Sequence, residues 1–214
     1  MNAINKAILI ILAVAISIGL GIYASGKKFA FGDIHTQLTQ ATYLYDQQKS
    51  IAEFTLVDHN NNTFTPDSIK GAWTFWFFGF THCPDICPIT LGTLSATVDR
   101  LKSKHNIEDE IKIIFVSVDP ERDEIEKLKT YTRAFSKYAL GVTADPERLA
   151  PFLKNMGVIA MKQPPAEDTS NYLVDHSSSI FLIAPDTGIS AYFSTPHDAD
   201  VIANDFLTIH KFYR

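Results

Sequence analysis

The chain contains little cysteine, little methionine and no concentration of positive charge. Its 214 residues include two cysteines and three methionines, and the formal net charge is −5. Nucleic-acid-binding proteins carry clusters of lysine and arginine, so the absence of such a cluster excludes a nucleic-acid partner. Two cysteines alone cannot supply the four ligands of a structural zinc site. With 46% hydrophobic and 20% charged residues, the composition is that of one globular domain plus additional segments.

Long apolar runs are also scarce, and the clearest one lies near the N-terminus. Residues 7–24 read AILIILAVAISIGLGIYA, without a charge. This is about the length that spans the hydrocarbon core of a bilayer. The alternative is a cleaved signal peptide, but its apolar region is usually only about 7–15 residues long. The best cleavage site, Ala24-Ser25-Gly26, is weak, and no cysteine follows for lipoprotein processing. We therefore predict an uncleaved membrane anchor over residues 1–25.

The residues after the run are polar and mixed, and we predict that residues 26–50 form a tether. Lys6 precedes the run and Lys27 and Lys28 follow it, so the charges beside the run do not decide its orientation. The layout favours a short internal N-terminus and an exported domain, which would place both thiols in an oxidising compartment. Because no long arginine- and serine-rich presequence is present, we expect a single-pass protein of a bacterial inner membrane, with its domain facing the periplasm.

From residue 51 onward, segments with strand patterns alternate with segments of helical period. The predicted strands are 54–59, 63–65, 73–80, 111–119, 140–144 and a pair within 180–194. The predicted helices are 89–105, 123–138, 145–157 and 198–212. Residues 161–178 form one long loop, expected to be structureless and functional. The order βαβ followed by αββα predicts an α/β, thioredoxin-like domain over residues 51–214, with an added N-terminal hairpin.

Both cysteines lie where the first core strand gives way to the first core helix, in FFGFTHCPDICPITL (77–91). Reactive groups collect at such strand-to-helix junctions in α/β folds. A bridge between Cys83 and Cys87 would enclose three residues and constrain the unfolded chain little, which disfavours a structural disulfide. Thiolates at a helix start are reactive, so a redox couple stays open, although thioredoxin spaces its cysteines by two residues. A shared soft metal ion is the third alternative, because thiolates select such ions.

A metal site would need a further ligand, and His176 is the best candidate among seven histidines. It lies in the long loop just before the apolar strand, and in a thioredoxin-like layout that loop passes the cysteine-bearing helix start. Two thiolates and one imidazole suit copper. The other six histidines are not expected to be ligands. His35 lies in the tether, and His82 is expected to point away from the thiols. The rest are expected in solvent-exposed turns or at helix ends: His59, His105, His197 and His210.

Three separated motifs resemble the Sco/SenC family. They are FFGFTHCPDICPITL, VSVDPERD (116–123) and VDHSSSIFLIAPDTG (174–188), and the resemblance extends over residues 50–213. It implies a membrane-anchored, thioredoxin-fold copper chaperone for the binuclear copper centre of cytochrome c oxidase. The resemblance also implies that Cys83, Cys87 and His176 are copper ligands. It gives residues 119–123 a supporting role near the site, and an acid such as Asp85 fits the family pattern.

The resemblance leaves one functional alternative open. Some members of the family act mainly as thiol–disulfide reductants of the oxidase's copper-site cysteines, so Cys83 and Cys87 would then be redox-active. The expected partners are the copper-site subunit of cytochrome c oxidase and other periplasmic copper chaperones or thioredoxin-like reductants. With only Met1, Met156 and Met161, the chain carries no methionine-rich copper relay. It also lacks the Pro-x-x-x-Thr-x-x-Cys pattern of a peroxiredoxin-like peroxidase.

Overall fold

The computed structural model describes residues 5, 11–21, 34–44, 50–163 and 172–213. Residues 11–21 are helical (α1), and their large apolar side chains are exposed. No helix within the described ranges is both long enough and apolar enough to cross a membrane. Most of the remainder of the predicted anchor, including residues 6–10 and 22–25, lies outside the described residues.

The described elements alternate as the sequence predicts from residue 51 onward. The helices after α1 are α2 (Ile34–Gln37), α3 (Ile86–Ser103), α4 (Ile125–Phe135), α5 (Pro146–Met156) and α6 (Ala199–Tyr213). The strands are β1 (Ala41–Tyr43), β2 (Leu56–Asp58), β3 (Thr63–Phe64), β4 (Trp73–Gly79), β5 (Ile111–Ser117), β6 (Ala139–Thr143), β7 (Ala160–Lys162), β8 (Val174–His176), β9 (Ile180–Ile183) and β10 (Ile189–Phe193).

Eight of the strands form one sheet, in the order β1-β10-β9-β4-β5-β6-β2-β3. The central strands β4, β5 and β6 are parallel, whereas β9 is antiparallel to β4 and β10 to β9. β2 and β3 form the predicted hairpin. This mixed sheet with crossover helices is the predicted thioredoxin-like α/β arrangement.

Strand β4 is buried along its whole length because helices or loops cover both faces of the sheet. Phe75 and Phe77 enter the apolar cluster that includes α3 and α6. Trp76 and Phe78 enter the cluster on the other face, where they approach Phe152 of α5. Successive side chains of a strand point to opposite faces, so one aromatic strand supplies both halves of the core.

Helix α3 begins at Ile86, three residues before the predicted start. Proline disfavours helical angles at the residue before it, so Pro88 argues against a helix that already includes Cys87. In the structure Pro88 lies in the first turn, where a backbone N–H has no partner within the helix, so its missing donor costs little. As a result Cys87 lies inside the helix and Cys83 lies in the loop before it.

Two segments that the sequence predicts to be irregular contain paired strands, so both predictions are wrong for these residues. The long loop 161–178 contains β8 and the end of β7, which pair antiparallel as a separate two-stranded ribbon; residues 164–171 lie outside the described residues. The tether prediction included Ile34–Tyr43, but β1 adds to the edge of the main sheet by pairing with β10. Residues 26–33 and 45–49 of the predicted tether lie outside the described residues.

Candidate metal centre

Cys83, Cys87 and His176 converge on one point, although 89 residues separate Cys87 from His176 in sequence. Their sulfur and nitrogen ligand atoms all lie within 4.8 Å of one another. Cys87 Sγ lies 3.5 Å from His176 Nε2. Both cysteines are free thiols; Cys87 is buried and Cys83 is half-buried. The arrangement therefore offers two sulfurs and one imidazole nitrogen to a single ion.

The ligands come from two parts of the fold, the junction between β4 and α3 and the separate ribbon. Strand β4 ends at Gly79, and the loop that follows delivers Cys83 before α3 begins with Cys87 in its first turn. His176 is the last residue of β8, and its partner across the ribbon is Ala160. The predicted passage of this segment beside the cysteine-bearing helix start is confirmed.

The His176 ring presents an unprotonated nitrogen to the thiols. Its Nδ1 lies 3.1 Å from the carbonyl oxygen of Ser177, which can only accept a hydrogen bond, so Nδ1 carries the proton. Burial lowers the pKa of His176, which favours the neutral ring. The Nε2 lone pair is therefore available towards Cys87. The rings of Phe77 and Phe80 lie at 76° and 89° to the imidazole, each 5.9 Å away, and form an apolar wall around it.

Burial also raises the pKa of the Cys87 thiol well above its usual range. The apolar surroundings disfavour the thiolate, so this sulfur is protonated in the metal-free site at neutral pH. An ion that binds here as a thiolate complex must displace that proton. Soft ions suit this site, because a thiolate bond to a soft metal offsets the cost of deprotonation.

Comparison with known proteins agrees with this geometry. The family model described as SCO1/SenC matches residues 43–211, which is most of the chain. The chain belongs to the SCO1/SenC family. It is 34% identical over 161 residues to the mitochondrial SCO1 homolog 1 of Arabidopsis thaliana, with 75% of this chain and 47% of the relative covered. It is 31% identical over 184 residues to a SCO2-like protein of Rickettsia conorii, with 86% of this chain and 87% of the relative covered.

Solved structures of SCO1/SenC proteins share the fold. The copper-bound ScoI of Arabidopsis thaliana is 33% identical with a TM-score of 0.72, over 77% of this chain and 100% of that one. The copper-bound yeast Sco1 is 29% identical with a TM-score of 0.71, over 78% of this chain and 91% of that one. The chain spans about half the length of several curated relatives that it matches, such as the SCO2 homolog of Bos taurus, 56% of which is covered at 34% identity across 71% of this chain.

The segment 119–123 of this SCO1/SenC protein lies beside the site, as the resemblance implied. The carboxylate of Asp123 is buried and accepts hydrogen bonds from the Thr81 backbone N–H, the Thr81 hydroxyl and the Ser117 hydroxyl, at 2.6–2.9 Å. These bonds fasten the loop that carries Cys83 to the end of β5. Asp85, by contrast, is exposed at the start of α3, and its side chain caps no helix N–H.

Sequence reasoning missed Gly79, which makes room for the cysteines. A Cβ atom at this position would lie 2.6 Å from Cys87 Sγ and 2.9 Å from the Phe115 ring, closer than van der Waals contact permits. Glycine inside an apolar strand is a signal of close approach by another group. The last residue of β4 therefore has to be small for Cys87 to occupy its place.

Three histidines expected in solvent are in fact sheltered. His59 is fully buried, with the Gly141 N–H donating to its Nδ1 at 3.0 Å. His210 is buried and lies 2.6 Å from Asp109. His197 is half-buried against Thr90. Each of these histidines contacts a residue that is distant in sequence, so the local sequence does not reveal its burial. His105 is exposed as expected, and the His35 side chain lies outside the description.

His82, next to Cys83, does not join the ligand cluster. Its ring is exposed and lies 2.7 Å from the Lys127 ammonium and 3.7 Å from the Asp123 carboxylate. The prediction that it points away from the thiols agrees with these contacts. Met156 is buried in the core, and Met161 is exposed on the ribbon.

Proposed function

We propose that this chain is a copper chaperone that holds one copper ion through Cys83, Cys87 and His176 and delivers it to the binuclear copper site of cytochrome c oxidase. The convergence of two thiol sulfurs and one imidazole nitrogen within 4.8 Å carries the proposal. Thiolate and imidazole ligands select copper over hard cations. The copper-bound relatives from Arabidopsis and yeast, which share the fold, support it.

Copper is the cargo in this proposal, and a three-ligand site suits cargo. The site leaves coordination positions for a ligand from a receiving protein, so the ion can pass by exchange of one ligand at a time. Loading displaces the proton of the buried Cys87 thiol, and unloading restores it. If a disulfide-containing partner oxidised the two copper-bound thiolates to a disulfide, two electrons would pass to the partner, its two new thiolates would take up protons from water, and the ion would be released. The redox state of the cysteines therefore gates the cargo.

The alternative is a thiol–disulfide oxidoreductase that reduces the copper-site cysteines of the oxidase. The specific observation in its favour is the unequal exposure of the two thiols, since Cys83 is half-buried and Cys87 buried. An accessible thiol can attack a partner disulfide, and a buried neighbour can then resolve the mixed disulfide. In this alternative the partners would be the oxidase and thioredoxin-like reductants.

We further propose that the apolar N-terminal run anchors the chain in a bacterial inner membrane, with the domain facing the periplasm. Residues 11–21 are helical and expose Ile11, Leu12 and Ile16, among other apolar side chains. Such a surface is unfavourable in water and favourable in lipid. An oxidising periplasm would also allow the cysteine pair to change redox state.

Titration of the reduced full-length protein with Cu(II) tests the copper function. We expect one ion per chain and an intense thiolate-to-copper charge-transfer band. His176→Ala should shift or weaken that band and lower the affinity at least about tenfold, since one of three ligands is lost. His105→Ala, which changes an exposed histidine, is the matched control and should titrate like the unmodified protein. Equal copper binding by all three proteins, together with efficient reduction of a partner disulfide, would favour the oxidoreductase instead.

A further inference from the structure

The buried carboxylate of Asp119 connects the loop after β5 with the chain that enters β8. Asp119 is fully buried, and it accepts hydrogen bonds from the Tyr172 hydroxyl at 2.6 Å and from Arg122 Nε at 2.5 Å. Burial and the hydrogen bond to Asp119 raise the pKa of Tyr172, so its hydroxyl remains a donor. Hydrogen bonds to a charged, buried acceptor are among the strongest in proteins.

Arg122 adds a second set of contacts to the same group. Its guanidinium lies over the Tyr172 ring, 3.5 Å from the ring centroid, and 5.7 Å from the centroid of Phe80. Phe80 in turn meets the His176 imidazole edge to face. We call Asp119, Arg122 and Tyr172 the latch. The latch is connected to His176 in two ways, through the chain of β8 and through the ring of Phe80, which contacts the imidazole.

The ribbon needs such a fastening because its own pairing is weak. β7 and β8 are three residues long each and pair with one another rather than with the main sheet. An isolated two-stranded ribbon is marginally stable in water. The ion pair between Lys162 of the ribbon and Glu121 is half-exposed, and exposed pairs contribute little. Within the described residues around the ribbon, the latch supplies a polar contact to a buried group, because the Tyr172 hydroxyl donates to the buried carboxylate of Asp119.

We propose that Asp119, Arg122 and Tyr172 are positioning residues that hold the ribbon so that His176 Nε2 stays beside the two sulfurs. This inference rests on the proposed copper function. With the latch closed, the site offers three ligands. With the Tyr172–Asp119 bond broken, the ribbon moves away with its histidine, and the two cysteines alone remain. The latch thus decides whether the ion is held by three ligands or by two, which is the step that a receiving protein must bring about.

Tyr172→Phe is the direct test, because it removes one hydroxyl and keeps the ring beneath Arg122. In the full-length reduced protein we expect the Cu(II) affinity to fall about five- to tenfold, which is within the range for the loss of one hydrogen bond when Asp119 keeps its bond from Arg122. The charge-transfer band should shift part of the way towards that of His176→Ala. In the copper-free protein, the amide protons of Gln163 and Ser177, which bond across the ribbon, should exchange with solvent several-fold faster.

The matched control is Tyr192→Phe. Tyr192 is partly buried against the same apolar cluster as Tyr172 but belongs to β10. It should leave copper affinity, the absorption band and ribbon exchange unchanged. Arg122→Lys is the second variant, since it keeps the charge and loses the planar contact with the ring. It should also speed exchange at Gln163 and Ser177.

A double-variant comparison separates positioning from a general loss of stability. If the latch acts through His176, adding Tyr172→Phe to His176→Ala changes copper affinity less than about twofold. The same five- to tenfold loss in that background would overturn the inference. The inference would also be overturned if the amide protons of Gln163 and Ser177 exchanged at an unchanged rate in copper-free Tyr172→Phe and Arg122→Lys, whatever the copper affinity of these variants. If His176→Ala alone leaves copper affinity intact, the proposed function is what fails, and the exchange measurement still decides whether the latch holds the ribbon.

Discussion

At the scale of single residues, the shape of the metal site depends on the absence of a side chain at Gly79. The strand β4 runs directly beneath Cys87, so close that no methyl group fits between the strand and the sulfur. Predicting that a glycine at this point of FFGF matters requires knowing which group packs on it. That group, Cys87, is eight residues away in sequence and reaches the strand only after the loop and the first turn of α3.

We predict that Gly79→Ala both destabilises the domain and weakens copper binding. Its added Cβ would have to displace Cys87 Sγ and the Phe115 ring, and overpacking of this kind costs about 1–3 kcal/mol. Urea unfolding of the copper-free protein measures the first effect and a Cu(II) titration the second. Gly92→Ala is the control, because no atom lies within 4 Å of its Cβ position and it occupies the exposed side of α3.

Gly92→Ala should raise stability by about 0.5–1 kcal/mol, the usual helix preference for alanine, without changing the copper titration. The account of Gly79 is wrong if both variants unfold at the same urea concentration and bind copper equally.

His59 is a second residue whose surroundings set its behaviour. Its Nδ1 accepts a hydrogen bond from the Gly141 N–H, so protonation at that nitrogen would break a buried contact. Burial lowers the pKa of His59, aided by Arg133 and Lys129 and opposed by Asp58 and Glu126. The unfolded chain therefore takes up this proton at a higher pH than the folded chain does.

The sign follows from linkage: the stabilisation is complete above the unfolded pKa of about 6.5 and declines as the pH falls below it. We predict that the free energy of unfolding decreases between about pH 7 and pH 5, with at most about 1.4 kcal/mol per pH unit from this group. His59→Asn, whose amide oxygen can replace Nδ1 as acceptor, should flatten that dependence. Urea unfolding at several pH values measures it.

Exposed His105→Asn serves as the comparison for His59→Asn and should keep the full pH dependence of the unmodified protein. An identical pH profile for His59→Asn and the unmodified protein would show that His59 contributes nothing to acid sensitivity.

At the scale of elements, periodicity and apolar runs predicted the strands and helices well, and local chemistry shifted their ends. The apolar run of β4 and the helical period of α3 are set by residues close in sequence, so sequence alone predicted them. The start of α3 lies three residues before the predicted one, because the first turn of a helix tolerates Pro88 despite the bias that a proline imposes on the residue before it. Strands of three residues, such as β7 and β8, are harder to predict, because they are too short to show an alternation of apolar and polar residues.

The ribbon shows the limit most clearly. β8 buries Val174 in the second core cluster, but β7 is mostly exposed, and Ile159, Met161 and Leu173 in or beside the two strands expose their apolar side chains. The ribbon also contacts groups that are distant in sequence, through Val174 in the core cluster and through Tyr172, just before β8, on Asp119, and no local pattern encodes these contacts. His176 was nevertheless identified, because the position of its loop follows from the predicted order of strands. Tyr172, which fastens that loop, was missed because a tyrosine in a polar loop gives no comparable signal.

At the scale of the whole molecule, the N-terminal part of the chain is joined to the C-terminal helix. Ile34 and Tyr43 are buried in the core cluster that contains Ile202 and Phe206 of α6. No local pattern indicates this, since a three-residue strand at a sheet edge is defined by its partner, here β10. The segment predicted as a free tether therefore includes residues that fix its far end to the domain.

The buried carboxylate of Asp205 is the centre of that junction, and its removal is our last prediction. Asp205 lies in α6 and accepts hydrogen bonds from the backbone N–H groups of Thr39, Gln40 and Ala41, at 2.7–2.8 Å. Asp205→Ala would leave three donors without their acceptor, at a cost of about 2–4 kcal/mol. We expect rapid proteolytic cleavage within residues 34–44, detected by mass spectrometry, while the copper titration stays unchanged.

The junction and the copper site are separable because they lie on different parts of the fold. Asp200→Ala, on the same helix, is the control: its ion pair with Arg100 is exposed on the Asp200 side, and such pairs contribute less than about 1 kcal/mol. It should leave residues 34–44 resistant to protease. Protection of that segment in Asp205→Ala would mean that burial of Ile34 and Tyr43 suffices to hold it. Loss of copper binding in the same variant would mean that the edge strand and the metal centre are coupled through the sheet.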